Sequence, residues 1–238
     1  MLSFAFIENI LTGLDSRIYP LIIWEIILYV PEKDVALDLG ITIDTSLKFH
    51  KHVSSIVCKA SAVANNLLKC TVNRDVKFMS TLYISQIRPL LEYNSAVWNL
   101  GYIGDVKALE SVQRRWTKCI GGLENLQYFD RLKALNLFSV RGRLLRHDLI
   151  KIWHIIHSKS SLSFDNFFQL PTLHTTRGHQ YKLAHVRTNL DIRKRSFAVR
   201  NIGLWNSLPE YVVSSTNVNT FKAALTSYLG DLLFEYCD

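Results

Sequence analysis

A mainly α-helical protein is what this sequence predicts, and three observations predict it. Apolar residues recur at three- and four-residue spacing over several long stretches, the pattern of helices with one buried face. Glycine and proline are scarce, 10 and 5 in 238 residues, which leaves few positions that break a helix. Hydrophobic residues make up 48% of the chain, with 12 Phe, 10 Tyr and 5 Trp, enough for a packed core in one or two domains.

Taken from the start of the chain, the stretch from Ile18 to Val30 is strongly apolar but interrupted by Pro20 and Glu25. It is too short for a membrane span of about 20 residues and lacks the flanks of a secretory signal, so it reads as a buried strand or core helix. Leu39 to Asp44 alternates and is β-branched, which predicts a short strand, with Asp44, Thr45 or Ser46 capping the next element. Val53, Ile56, Val57, Ala60, Val63, Ala64, Leu67 and Leu68 predict a helix from His50 to Leu68. A second helix is predicted from Arg74 to Ile87, broken or kinked at Arg88 because Pro89 disfavours helical geometry before it. A third runs from Val106 to Ile120 and stops at Gly121-Gly122. Helices at Tyr128–Leu135, Val140–His157, Ser196–Ser207 and Asn219–Glu235 complete the chain. Ser158 to Thr176 reads as a loop and Gln180 to Val186 as a strand or hairpin.

The net charge of +8 and the pI of 9.3 favour anionic partners such as nucleic acid or a membrane surface. The charge is localised. Between Ser139 and Arg200 there are 12 Lys or Arg against 3 Asp, which leaves the remainder of the chain close to neutral. The clusters are Arg114-Arg115 with Lys118, Arg141-Arg143-Arg146, and Arg193-Lys194-Arg195 with Arg200. Such clusters bind phosphates by counterion release, and they also serve as plain solvated faces. Trp116, Trp153 and Trp205 interleave with them, but their helical spacing places them in the core, and Tyr93 and Trp98 read as packing residues too.

Catalytic signatures are wanting. No two aspartates are adjacent, and the pair Asp38 and Asp44 brackets a strand as a turn residue and a cap would. Cys58, Cys70, Cys119 and Cys237 are isolated, which gives neither a zinc site nor a disulfide framework and points to reduced thiols in the cytosol or nucleus. His147, His154 and His157 share one helix without a Cys or Glu partner, which suits polar or packing roles better than zinc. His174 and His179 flank a basic loop, and phosphate contact is their functional reading.

Two clusters carry a family resemblance: R-P-L-L-E-Y-N-S-A-V-W, containing Arg88, Pro89, Glu92, Tyr93 and Trp98, and L-E-S-V-Q-R-R, containing Glu110, Gln113, Arg114 and Arg115. With D-L-G-I-T-I-D, L-K-F-H-K-H-V, Y-F-D-R-L-K-A-L-N-L, R-G-R-L-L-R-H-D-L, T-R-G-H, R-S-F-A-V-R-N-I-G-L-W-N-S-L-P and F-K-A-A-L, they form an ordered series from Asp38 to Tyr228. That series resembles the thumb and post-thumb region of non-LTR retrotransposon reverse transcriptases, the jockey-like LINE elements.

The resemblance implies a helical thumb-like domain over 38–100 and a basic helical extension with a short β-hairpin over 101–238, after an unmatched apolar segment at 1–37. It implies a grip on an RNA or DNA duplex through the backbone. Arg114 and Arg115 fall on the family's Q-R-R positions and Arg177 on its T-R-G position. With Arg141, Arg143, Arg193, Lys194 and Arg195 these are the candidate nucleic-acid contacts. No catalytic residue, metal ligand or cofactor is expected. The family's polymerase needs Mg²⁺ held by palm aspartates, and the palm pattern is not found before Asp38. The chain departs from the family's R-R-x-x-x-D-L run at Gly142. A truncated insertion is the expected origin, inactive as a polymerase alone; a nucleic-acid-binding module reused by its host, or a non-functional relic, are the alternatives.

Overall fold

The computed structural model describes residues 35–157, 159–171 and 178–236. The expectations for Ile18–Val30, His174, Arg177 and Cys237 lie outside the described residues. The fold is mainly α, with one two-stranded antiparallel sheet. Strands β1 (Val35–Asp38) and β2 (Ile41–Asp44) pair with Val35 opposite Asp44 and Asp38 opposite Ile41. Leu39 and Gly40 lie between them at φ +44° and +84°, the two-residue turn that matches strand twist. The short hairpin is therefore at Val35–Asp44. Leu39 and Gly40, expected to open a strand, form its turn.

Helix α1 spans His50–Cys70 and buries Val53, Ile56, Ala60 and Ala64 at spacings of three, four and four. Asp75 caps α2 (Val76–Leu82), its carboxylate accepting from the amides of Lys77 and Phe78 at 3.0 and 3.2 Å. Of the break or kink expected at Arg88, the break does not occur. A π-turn, Tyr83–Ile87, runs straight into α3 (Arg88–Glu92), with Arg88 at helical φ/ψ of −56° and −43°. The Arg88 amide reaches back five residues to the carbonyl of Tyr83. In a regular α-helix the Pro89 ring would strike the carbonyl of Ser85; the wider π-turn relieves that clash and the chain continues. Asn94, left-handed at φ +51°, separates α3 from α4 (Ser95–Trp98).

Helices α5 (Ile103–Lys118) and α6 (Tyr128–Leu135) come next, the latter stopped by left-handed Asn136. Helix α7 is Val140–Ile156. Then come α8 (Asp191–Arg195), α9 (Phe197–Arg200), α10 (Ile202–Ser207), α11 (Glu210–Val213) and α12 (Val218–Leu229), the last followed by a 3₁₀ turn at Gly230–Phe234. The helix expected over Ser196–Ser207 is thus two short helices, α9 and α10, and α8 just before Ser196 is a further one.

Gln180–Val186 is not a strand. The backbone N–H and C=O of Leu183 pair with the side-chain amide of Asn206 at 2.9 and 2.8 Å, and Tyr181 gives its carbonyl to the Trp205 indole at 2.9 Å. Side chains from α10 supply there what a neighbouring strand would supply.

The chain divides into two compact units. One comprises the described residues up to Phe49 together with Asp148–Leu225; the other comprises His50–His147 and the residues from Thr226 onward. The core of the first holds Ile152, Trp153, Trp205, Val212, Phe221 and Leu225, all at most 2% exposed. The core of the second holds Met79, Tyr83, Ile87, Leu91, Leu109, Trp116 and Leu132, all at most 1% exposed. Burial of Trp98, Trp116, Trp153 and Trp205 removes them from any role in base stacking. Tyr93, expected to pack, is 57% exposed.

Candidate nucleic-acid interface

The second unit is organised around a carboxylate with almost no access to water. Glu110 projects inward from α5, 1% exposed. It accepts the hydroxyl of Tyr128 and the backbone amides of Val140 and Arg141, the latter two at 3.2 Å. The Gly142 amide donates to the Ser139 hydroxyl at 2.9 Å. The first turn of α7 thus has its orphan amides satisfied by a side chain from another helix and by its own cap, and the helix dipole favours the negative charge there. Burial still raises the Glu110 pKa above the ordinary range, against the pull of Tyr128, the two amides and Arg114. One turn on, Gln113 accepts from Tyr83 at 2.6 Å and donates to the Phe138 carbonyl at 2.9 Å.

The arginines of the expected site divide by what they touch. Arg143 forms a two-point ion pair with Glu92, one contact being 2.8 Å, and both side chains are largely covered. Arg114 is half-buried, its guanidinium 5.0 Å from the ring centres of Tyr128 and Tyr236. Arg115 is exposed and reaches the Ser61 hydroxyl at 2.9 Å. Arg141 is exposed at the start of α7. In the first unit Lys194 is exposed and Arg193 half-exposed, while Arg195 pairs with Asp191 at 2.8 Å within α8. Arg114, Arg115, Arg141 and Arg143 share one unit; Arg193, Lys194 and Arg195 belong to the other. Arg177 lies outside the described residues.

Two further arginines of the basic stretch hold the fold. Arg200 meets buried Asp148 two-pronged at 3.0 and 2.9 Å, and Asn201 adds a third bond at 2.8 Å. Arg146 donates to the Thr226 hydroxyl at 3.1 Å. His179, expected near phosphate, is 3% exposed, with Nε2 donating to the Trp205 carbonyl at 3.0 Å. Burial lowers the pKa of His154, His157 and His179, and Lys222 and Lys151 add to the effect at His154. Among the described residues no group of three His, Cys, Asp or Glu side chains is placed to hold a metal, and no helix is long and apolar enough to cross a membrane.

The structure also brings together cations that sequence clustering passed over. The contacts His50–Asp105, at 2.8 Å, and Ser61–Arg115, at 2.9 Å, keep nearly one sequence offset, so α1 and α5 run side by side in the same direction. Helix α1 contains no acidic residue, and it exposes Lys51, Lys59 and Lys69. Helix α5 exposes Lys107, Ser111, Arg115 and Lys118, while its two acids are engaged, Asp105 with His50 and Glu110 in the core. The result is a two-helix face of positive and small polar side chains. The signal for it was the spacing of Lys107 from Arg115 and Lys118 on one side of a helix; the cluster of Arg114, Arg115 and Lys118 left Lys107 out.

No protein-family profile matches the chain, and no solved structure matches it significantly. A Drosophila melanogaster protein named as a "Probable RNA-directed DNA polymerase from transposon X-element" is 29% identical over 98 residues. Part of this chain is similar to a transposon polymerase. The matched region makes up 40% of this chain and 11% of that protein. An uncharacterized protein of Caenorhabditis elegans is 29% identical over 126 residues, 51% of this chain and 62% of its own length. The chain thus spans a small part of the transposon polymerase and about six-tenths of the nematode protein.

Proposed function

We propose that the chain is a nucleic-acid-gripping portion of a retrotransposon RNA-directed DNA polymerase of the non-LTR, jockey-like LINE kind, outside the catalytic palm. The observation that carries this reading is the partial similarity to the transposon polymerase. In this reading residues 38–100 are thumb-like and 101–238 are the basic extension, a division by ancestry that need not coincide with the compact units. In the second unit the exposed cations of α1 and α5, with Arg141, and separately in the first unit the Arg193–Lys194–Arg195 group, meet phosphates of duplex RNA or DNA, in the nucleus or cytoplasm. Backbone contacts of this type position a duplex without reading its sequence.

The chain does no polymerase chemistry by itself. Phosphoryl transfer at a primer end needs carboxylates that hold two metal ions, and these 238 residues contain no adjacent aspartates. Primer extension with Mg²⁺ or Mn²⁺ tests this directly. Retention of the template-primer without incorporation is expected, and robust incorporation by the pure chain would overturn the reading. Reversing the charge of Arg193, Lys194 and Arg195 is expected to weaken binding uniformly across sequences. Undiminished binding would remove that group from the interface.

A second reading is favoured by one observation. Related sequence makes up 62% of the nematode protein against 11% of the transposon polymerase. A region of this kind then serves by itself as a nucleic-acid-binding module. In that case duplex binding survives without any polymerase partner.

A further inference from the structure

The segment Gly230–Tyr236 is fastened across the second unit at four places. Its Leu233 carbonyl accepts from the Ser139 amide at 3.0 Å and the Ser139 hydroxyl at 3.2 Å, and that hydroxyl also lies 2.6 Å from the Glu235 carbonyl. Asp231 pairs with Lys133, whose ammonium lies 4.1 Å from the ring centre of Phe234. Phe234 meets Phe138 edge-on, and Tyr236 meets Tyr128 edge-on at 4.8 Å. At Gly142 the backbone of the segment comes so close that a Cβ there would clash with the Leu233 carbonyl. Gly142 is also where the chain departs from the arginine expected of the family run, and no arginine side chain fits under this segment. The far end of the segment brings Tyr236 to the Arg114 guanidinium, 5.0 Å from the ring centre, beside a similar contact from Tyr128 on the same side of the guanidinium.

We propose that Gly230–Tyr236 is an autoinhibitory strap that holds Arg114 against Tyr128 and Tyr236 and withholds it from phosphate. The proposal rests on the reading that the second unit takes nucleic acid. A guanidinium engaged by two rings gives up cation–π contact and must be rehydrated before it can bind an external anion. Release of the strap adds one arginine to a surface where Arg115 and Arg141 are already exposed. The strap therefore sets how many phosphates the face can engage, and it couples that number to the docking of Leu233 beside Gly142.

The experiment uses the full chain. Modification of arginines with phenylglyoxal, followed by peptide mass spectrometry, is expected to label Arg141 readily and Arg114 slowly. In the Tyr236→Ala protein Arg114 labelling is expected to accelerate about tenfold, the size of effect that a contact of this class accounts for. In Tyr236→Phe, which keeps the ring, it stays slow. Binding of a fluorescein-labelled RNA hairpin is expected to tighten several-fold in Tyr236→Ala, with the log–log salt dependence steeper by about 0.9. Gly142→Ala, which loosens the strap from its other end, is expected to expose Arg114 as well. Labelling of Arg114 as fast as Arg141 in the native chain would overturn the proposal. Unchanged labelling and binding in both Tyr236→Ala and Gly142→Ala would overturn it too. Faster labelling with no RNA binding by any variant would instead remove the nucleic-acid reading and leave the masking of Arg114 standing.

Discussion

The two units each bury a carboxylate, and they satisfy it by different means. In the second unit Glu110 is met by a phenol and by the backbone amides that open α7. In the first, Asp148 is met by the full charge of Arg200, with Asn201 as a third donor. A helix terminus supplies partial charge and fixed amides that remain partly satisfied if the acid is neutralised. An ion pair in the core supplies more attraction but leaves a whole charge stranded if either partner is removed. The family-like motifs turn out to be these two solutions. Glu110 and Gln113 of L-E-S-V-Q-R-R, and Arg200, Asn201, Trp205 and Asn206 of R-S-F-A-V-R-N-I-G-L-W-N-S-L-P, hold polar backbone and buried charge in place.

The largest effect expected from this difference is at Asp148. Asp148→Ala should destabilise the first unit by about 3–5 kcal/mol, because Arg200 is left covered and unpaired; chemical denaturation followed by circular dichroism measures it. Glu110→Gln should cost less, about 1–3 kcal/mol, since a carbonyl oxygen still accepts from the α7 amides. Equal losses at the two sites would erase the distinction between them.

Acid should separate the units next. His154, His157 and His179 of the first unit have folded pKa values below the ordinary 6.5, held there chiefly by burial. Below pH 6.5 the unfolded chain takes up protons that the folded core refuses, so the stability these histidines contribute is lost as the pH falls. In the second unit His52 and His147 act in the same sense, while the raised carboxyl of Glu110 opposes them by binding its proton more tightly in the fold. Asp148 also has a raised carboxyl and offsets part of the loss in the first unit. Hydrogen-exchange protection, taken relative to the intrinsic rate at each pH, should therefore fall more at Ile152 than at Leu109 between pH 7 and pH 5. An equal fall would mean that the histidines around Trp153 do not govern the first unit.

The smallest effect on stability is expected at the exposed cations. Lys107→Gln and Lys118→Gln should change unfolding free energy by less than about 0.5 kcal/mol. A larger loss would show that α5 depends on them for its fold.

Much of this was legible in the sequence. Helices α1, α5, α6 and α7 were readable from apolar spacing because each buries one continuous face. What the sequence hid came from polar groups that meet over long separations. Pro89 broke no helix, because a π-turn moved the offending carbonyl aside. Gln180–Val186 looked like a strand because apolar and polar side chains alternate in it, yet Trp205 and Asn206 take the place of a partner strand. Counting adjacent arginines found Arg143 and Arg200, which belong to buried ion pairs. It missed Lys107, which joins Arg115 and Lys118 only once α5 is wound, and the lysines of α1. Gly142 looked like a lost arginine and is the seat of Leu233.

The most direct test of the account is the salt dependence of duplex RNA binding by the native chain and by a Lys107→Gln, Arg115→Gln, Lys118→Gln variant. Each phosphate contact contributes about 0.9 to the log–log slope for a duplex, so the triple variant should be shallower by up to about 2.7 with its fold intact. Weak, salt-independent binding by the native chain, or an unchanged slope in the variant, would contradict the claim that this face of α1 and α5 meets nucleic acid.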